Sequence, residues 1–220
     1  MTLELKKRII TSIFLLTLLL LIYTYSFVLI ISLIVIGVIS WIEFYILISR
    51  IFKNDNTKNK NLRFIFKAVS LFYISCLVYF VIIAEAQDNN LRFQIFYAIL
   101  VSIASDIGGL VIGKLFKGKK LTKISPKKTI SGSLGSFIFS ILLIPFFTNE
   151  FHAYSIFSLI LITITISFMS QIGDLFISFL KRKADVKDTS NLLPGHGGFL
   201  DRIDGILFAI PTCYLLFTIF

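Results

Sequence analysis

The sequence predicts an all-α polytopic integral membrane protein of about seven transmembrane helices, its N-terminus on the cytoplasmic side. Three observations carry this. The 220 residues are 56% hydrophobic with a mean hydropathy of +0.90, far outside soluble usage. The apolar residues fall in uninterrupted runs close to the roughly 20 residues that a spanning helix needs. The basic residues recur at every second exit from those runs, as cytoplasmic loops do.

Taken in order, the candidate spans lie near residues 9–25, 28–49, 64–84, 92–113, 131–147, 153–177 and 203–219. Only residues 23–26 separate the first two, which requires a tight hairpin or a short, tilted first helix. Lys6, Lys7 and Arg8 precede the first span, and Lys53, Lys58, Lys60 and Arg63 follow the second. Further basic residues follow the fourth, from Lys114 to Lys128, and the sixth, from Lys181 to Lys187. The opposite loops carry Glu85, Asp88, Glu150 and His152, with Arg92 as their main positive charge. An odd number of spans then puts the C-terminus on the far side. The apolar segments continue to Phe220, so no cleaved leader is expected, and one membrane-embedded domain over residues 1–220 is expected.

Composition also excludes several functions. Cys76 and Cys213 lie inside apolar runs with no CxxC partner, so they read as small hydrophobes rather than a disulfide or zinc framework. The net charge of +10 is expected to meet anionic lipid headgroups rather than nucleic acid.

Against that apolar background, residues 178–204 read SFLKRKADVKDTSNLLPGHGGFLDRID. Five of the chain's 12 acidic residues, Asp174, Asp185, Asp188, Asp201 and Asp204, stand in or beside this stretch, among Lys181, Arg182, Lys183, Lys187, Arg202 and His196. Such a composition suits metal and phosphate. Asp174, Ser178 and Lys181 fall at i, i+4 and i+7, within about 60° on one helical face. A carboxylate near the end of a span is costly without a cation or water, and is a functional candidate by default; the plainer alternative is an Asp174–Lys181 ion pair that anchors the helix end. The glycines of Pro194-Gly195-His196-Gly197-Gly198 let a ligand approach the main chain, or simply make a turn. Asp201 and Asp204, at i and i+3, are hard oxygen ligands of the kind magnesium takes alongside water and substrate phosphate, or else charges that complement a helix dipole.

A second polar region precedes the fifth span. Asp106 lies late in an apolar run and asks for a partner. Gly109 and Gly113 form a small-xxx-small face for a close helix neighbour. Lys117, Lys119 and Lys120 read as loop charge, whereas Lys127 and Lys128, held between Pro126 and hydroxyl residues, are better phosphate contacts. Both polar regions are expected on the cytoplasmic side, in one active site.

The gap-free run S-F-L-K-R, four residues, K-D-x-S, then L-P-G-H-G-G-F-L-D-R-I-D, over residues 178–204, resembles the signature of the phosphatidate cytidylyltransferase (CDP-diacylglycerol synthase) family. Asp106 with its glycines and S-P-K-K-T at residues 125–129 resemble that family's other polar region. The resemblance implies a magnesium-dependent, dimeric membrane enzyme that condenses CTP with phosphatidic acid to CDP-diacylglycerol and pyrophosphate in phospholipid biosynthesis. It implies Asp174 and Asp201 as leading metal ligands with Asp204 in support. Lys181, Arg202, His196 and Ser178 are the candidate catalytic residues. Lys127, Lys128, Asp106, Arg182, Lys187, Gly197 and Gly198 are the candidate substrate contacts. Two positions depart from the family pattern, Gly109-Leu110 after the aspartate and Ser131 where many relatives have Glu. The chain is also short for the family, with one or two N-terminal spans expected to be missing.

The residues allow that chemistry. A phosphate monoester oxygen is already a nucleophile at neutral pH, so the reaction needs alignment and charge neutralisation at the α-phosphorus. Two alternatives are a CTP-dependent lipid kinase, which transfers the γ-phosphoryl group, and a transporter whose intramembrane charges line a path. Charges clustered at one membrane face disfavour the transporter. High Ile, Lys and Asn usage suits a bacterial inner membrane.

Overall fold

The computed structural model describes residues 3–54, 56–87, 89–193 and 197–219, with side chains described at 10–54, 56–83, 92–193 and 197–219. Its helices are α1 (Leu3–Thr24), α2 (Ser26–Ile51), α3 (Thr57–Gln87), α4 (Asn89–Phe116), α5 (Ile130–Ile141), α6 (Ile144–Phe147), α7 (Ile156–Lys183), α8 (Leu200–Ile203) and α9 (Ile206–Ile219). Among the described residues, strand pairing is limited to two isolated bridges, Lys120 with Thr129 and Leu193 with Gly197. Among the described residues, six helical segments are long and apolar enough to cross a membrane, and the first predicted span is a shorter apolar helix over Ile10–Thr24. At 1.5 Å per residue that stretch reaches roughly 22 Å, less than the ~30 Å of a hydrocarbon core.

Helix ends follow local chemistry. The predicted span at 131–147 is split because Pro145 has no N–H and its ring opposes the carbonyl four residues back, at Ile141, where α5 stops. Thr129 caps α5, its hydroxyl accepting from Gly132 N at 3.0 Å. Helix α7 ends in a Schellman motif: Val186 N donates to Lys181 O at 3.0 Å and Asp185 N to Arg182 O at 3.3 Å, with Asp185 left-handed at φ 55°.

The chain forms two compact units, Met1–Gln87 with Leu180–Ile203, and Asp88–Phe179 with Asp204–Phe220. In the first, α2 packs against α1, α3 and α8. The α2–α3 turn is fastened by Arg63, which donates to Phe52 O at 2.6 Å. Farther along, Lys67 Nζ lies 3.3 Å from the centroid of the Tyr45 ring, a cation–π contact.

In the second unit, α4 packs against α5 and α9. The α4–α5 seam is lined with glycine, and the small-residue face predicted at Gly109 and Gly113 is used there. A β-carbon at Gly109 would meet Ser136 Oγ at 2.7 Å, and one at Gly113 would meet Thr129 Oγ1 at 3.0 Å. Without lipid-excluding hydrophobic drive, such close backbone approach is what holds membrane helices together. Buried hydroxyls tie the remaining helices: Ser102 to Ser170 at 2.7 Å, Ser167 to Ser105 at 3.0 Å, and Tyr97 to Thr163 at 2.6 Å. Tyr97 is also ringed by Phe147 and Phe151 at 5.0 and 5.2 Å between centroids.

A side chain at Gly135 is therefore expected to push α4 and α5 apart. Its β-carbon would lie 2.6 Å from Ile112 Cγ1 and 2.7 Å from Gly108 O, and a backbone oxygen cannot rotate away. Gly135→Ala should cost about 1–3 kcal/mol, read as a lower unfolding temperature in detergent. An unchanged melting profile would mean that the seam yields freely.

Candidate functional site

The second unit holds a pocket of about 450 Å³ whose lining includes charged and hydroxyl side chains, within the usual range for ligand sites. One wall is the segment between α4 and α5, folded back on itself like a hairpin. Leu121 N donates to Lys128 O at 2.8 Å, Ile130 N to Lys119 O at 2.9 Å, and Lys128 N to Ser125 O at 3.0 Å. This folding carries Lys127 and Lys128 to the pocket, with Lys114 from the end of α4. The opposite wall is α7, which contributes Asp174 and Gln171, and Asp106 lines the pocket from α4. Four predicted residues that lie up to 68 positions apart in the chain, Asp106, Lys127, Lys128 and Asp174, thus share one cavity.

Asp174 is held from both sides. Lys128 Nζ pairs with Oδ2, and the Ser178 hydroxyl, one turn along, donates to Oδ1 at 3.3 Å. The pair is about a quarter exposed on each side chain, 27% for Lys128 and 26% for Asp174. It can therefore exchange partners with a solute entering the pocket. Ser131, one of the two expected departures from the family pattern, accepts from Gly118 N at 3.3 Å and bonds the Thr129 hydroxyl at 3.1 Å, so it ties the lysine segment to the start of α5.

The first unit contains the signature segment, built around two buried carboxylates. Lys181 Nζ donates to Asp201 Oδ1 at 2.6 Å, and the side chains are 13% and 5% exposed. Asp201 Oδ2 accepts from Thr189 N at 2.8 Å, the Thr189 hydroxyl at 2.9 Å and Gly198 N at 3.1 Å. The sequence did not single out the second carboxylate, Glu43 of α2, which is 3% exposed. Its Oε1 accepts from Ser190 Oγ at 2.6 Å and Phe199 N at 3.0 Å. Its Oε2 accepts from Leu200 N at 2.8 Å and lies 2.8 Å from Thr189 Oγ1, whose single proton is shared between Glu43 and Asp201. Glu43 thus caps the helical turn at Leu200 from a different helix, supplying acceptors for N–H groups that have no intrahelical partner.

The glycines serve this clamp. Gly198 N is committed to Asp201, and a β-carbon there would run into Thr189 and Glu43. Gly197 has φ +82°, a conformation costly for other residues, and the turn it closes is fastened by Leu193 N donating to Gly197 O at 2.9 Å. Pro194, Gly195 and the predicted His196 lie outside the described residues. Arg182, Lys187 and Arg202 are exposed. Asp204 is buried at 7% in the second unit, and its Oδ1 accepts from Gly205 N at 2.8 Å.

The plainer Asp174–Lys181 pairing does not form: each ion is paired elsewhere, Asp174 with Lys128 and Lys181 with Asp201. Among the described residues, no three His, Cys, Asp or Glu side chains converge as a protein-only metal cage. Glu43 was legible in principle, as the lone carboxylate of the apolar run Ser26–Ile51. Gln171 and Lys114 carried no comparable signal, because a neutral amide and a lysine at a span end are ordinary in sequence.

Comparison with known proteins bears on the whole chain. A 159-residue stretch is 40% identical to the phosphatidate cytidylyltransferase of Bacillus subtilis, covering 70% of this chain and 58% of that protein. The phosphatidate cytidylyltransferase of Rickettsia typhi is 36% identical over 149 residues, 64% of this chain and 63% of the relative. That of Staphylococcus epidermidis is 40% identical over 136 residues, 60% of this chain and 51% of the relative. The matched stretch thus spans between about half and two thirds of these curated relatives. A model of the cytidylyltransferase family matches residues 2–220, and with the signature segment and the lysine-lined pocket in view, this chain belongs to that family.

Proposed function

We propose that this protein condenses CTP with phosphatidic acid, giving CDP-diacylglycerol and pyrophosphate, at the cytoplasmic face of a bacterial inner membrane. The observation that carries the proposal is the pocket in which Lys114, Lys127 and Lys128 meet Asp106 and Asp174, in a chain that a cytidylyltransferase family model matches over residues 2–220. Three cations facing two carboxylates suit a triphosphate bound with a divalent metal. In the reaction a phosphatidate oxygen attacks the α-phosphorus, a new P–O–P bond forms, and the bond to the β-phosphate breaks with pyrophosphate leaving.

The donor set fits magnesium, which takes one or two carboxylates and completes its shell with water and substrate phosphate. Asp174, with Asp106 in the same pocket, would hold it there; the family signature also suggests metal-ligand roles for Asp204 and, in the first unit, for Asp201. When bound, magnesium would neutralise phosphate charge and polarise the α-phosphoryl group.

The chain's own residues do the rest. Lys128, paired with Asp174, would exchange that partner for phosphate oxygens of the bound nucleotide. Lys181 stands in the same relation to Asp201 in the other unit. Lys127 and Lys114 neutralise the triphosphate by charge-assisted contacts, and exposed Arg202, Arg182 and Lys187 attract the anionic lipid headgroup. No residue has to act as a general base. The dimeric state belongs to the same proposal, and chemical crosslinking in membranes should give a species of twice 25.0 kDa.

The test supplies purified protein with phosphatidic acid, diacylglycerol, magnesium, and CTP labelled at either the α- or the γ-phosphate. Label from α in the lipid, with γ label leaving as pyrophosphate, is expected. Label from γ in the lipid would mean a kinase, and no label from a folded protein would overturn nucleotide chemistry altogether.

A further inference from the structure

Gln171 stands apart from the charged groups of the pocket. It lies one turn before Asp174 on α7, roughly 4.5 Å along the helix axis, and it lines the same cavity. Its amide oxygen is fixed: Ser133 Oγ of α5, also a lining residue, donates to Gln171 Oε1 at 2.6 Å. That bond sets the orientation of the amide and turns Nε2 into the free end of the side chain. Nε2 is buried and has no hydrogen-bond partner among the described residues. Nearly all buried polar atoms are partnered, so a held but unsatisfied donor at a pocket wall calls for an acceptor from outside the chain.

The chemistry of the neighbours narrows what that acceptor is. Three lysines line this pocket and would meet phosphate charge, and a neutral amide adds little to charge balance. It adds direction instead: two N–H bonds at fixed angles, which a mobile ammonium group does not supply. We infer that Gln171, oriented by Ser133, is a substrate-binding residue whose Nε2 donates a hydrogen bond to an acceptor atom of the bound nucleotide. This inference rests on the proposal that the pocket takes CTP. The acceptor is a base or ribose atom, or a phosphate oxygen, and the two can be told apart. Ser133 is the positioning residue, since it touches the nucleotide only through the amide that it holds.

The experiment measures equilibrium binding of CTP and of inorganic tripolyphosphate, each with magnesium, to the purified full chain in detergent. Wild type, Gln171→Leu, Gln171→Asn and Ser133→Ala are compared, with an unfolding temperature for each. Gln171→Leu is expected to bind CTP at least about tenfold more weakly, within the range for losing one hydrogen bond to a substrate. Gln171→Asn, which keeps the amide but shortens its reach, should fall between. Ser133→Ala should show a smaller loss, since the amide remains but is no longer held. If tripolyphosphate binding weakens in parallel, the acceptor is a phosphate oxygen; if only CTP binding weakens, it is on the base or ribose. Unchanged CTP affinity in both folded Gln171 variants overturns the inference. Wild-type protein that binds neither probe overturns the proposed function instead. Should Gln171→Leu fail to fold, the Asn and Ser133 variants carry the same comparison.

Discussion

Replacing Glu43 with glutamine is expected to destabilise the first unit and to abolish most turnover, although Glu43 is expected to touch no substrate. Its two oxygens accept from two hydroxyls and two backbone N–H groups, with the carboxyl 3% exposed. Glutamine has the same shape, but one acceptor becomes an NH₂ group that faces donors. At least one buried N–H then loses its partner, at about 1–3 kcal/mol, and the opposed donors add to that. Several kcal/mol is a large fraction of any folding free energy. The damage should spread through Thr189, whose hydroxyl lies within 2.8 Å of Glu43 and 2.9 Å of Asp201. Glu43→Asp keeps the charge but withdraws it by one methylene, so partial recovery is expected. The measurements are thermal unfolding in detergent and the rate of CDP-diacylglycerol formation. Wild-type values for both in Glu43→Gln would show that the signature segment holds itself without the clamp.

The second large effect separates two carboxylates that the sequence treats alike. Asp174→Asn should lower turnover at least about a hundredfold, the scale seen when one electrostatic group at a reacting phosphoryl or acyl centre is lost. It should leave stability nearly unchanged. The Asp174–Lys128 pair is about a quarter exposed, and such pairs contribute about 1 kcal/mol or less. Asp201→Asn should cost both activity and stability. That carboxylate is 5% exposed and gathers Lys181, Thr189 and Gly198, and removing one partner of a buried ion pair strands the other. Activity is read by CDP-diacylglycerol formation and folding by the unfolding temperature. Retained turnover in Asp174→Asn would remove that residue from the chemistry. An Asp201→Asn protein as stable as wild type would mean that its network is dispensable to the fold.

The same distinction separates what is local along the chain from what depends on packing. The helices were legible because a bilayer demands length and apolarity, both local properties of the chain: five of the seven expected spans appear as single helices that cover most of their expected ranges, and the other two as helix pairs. The exceptions also have local causes. Pro145 splits the fifth span, and the last is interrupted at Asp204 and Gly205 between α8 and α9. The residue types that carry the candidate site were legible too, because a carboxylate or a PGHGG turn in an apolar chain is conspicuous.

Which groups meet was not legible. Helical periodicity put Asp174 and Lys181 on one face, and they suggested one another as partners. The fold instead pairs Asp174 with Lys128, 46 positions away in sequence, and Lys181 with Asp201. Glu43 finds its backbone donors 156 and 157 residues downstream. The sequence by itself determined the membrane-spanning architecture, the glycine face of α4 and the inventory of carboxylates, lysines and glycines from which the candidate site is drawn, because each follows from local composition and period. Only the tertiary structure decided the ion pairs, the Glu43 clamp and the held amide of Gln171, because partners distant along the chain meet only where helix packing brings them together.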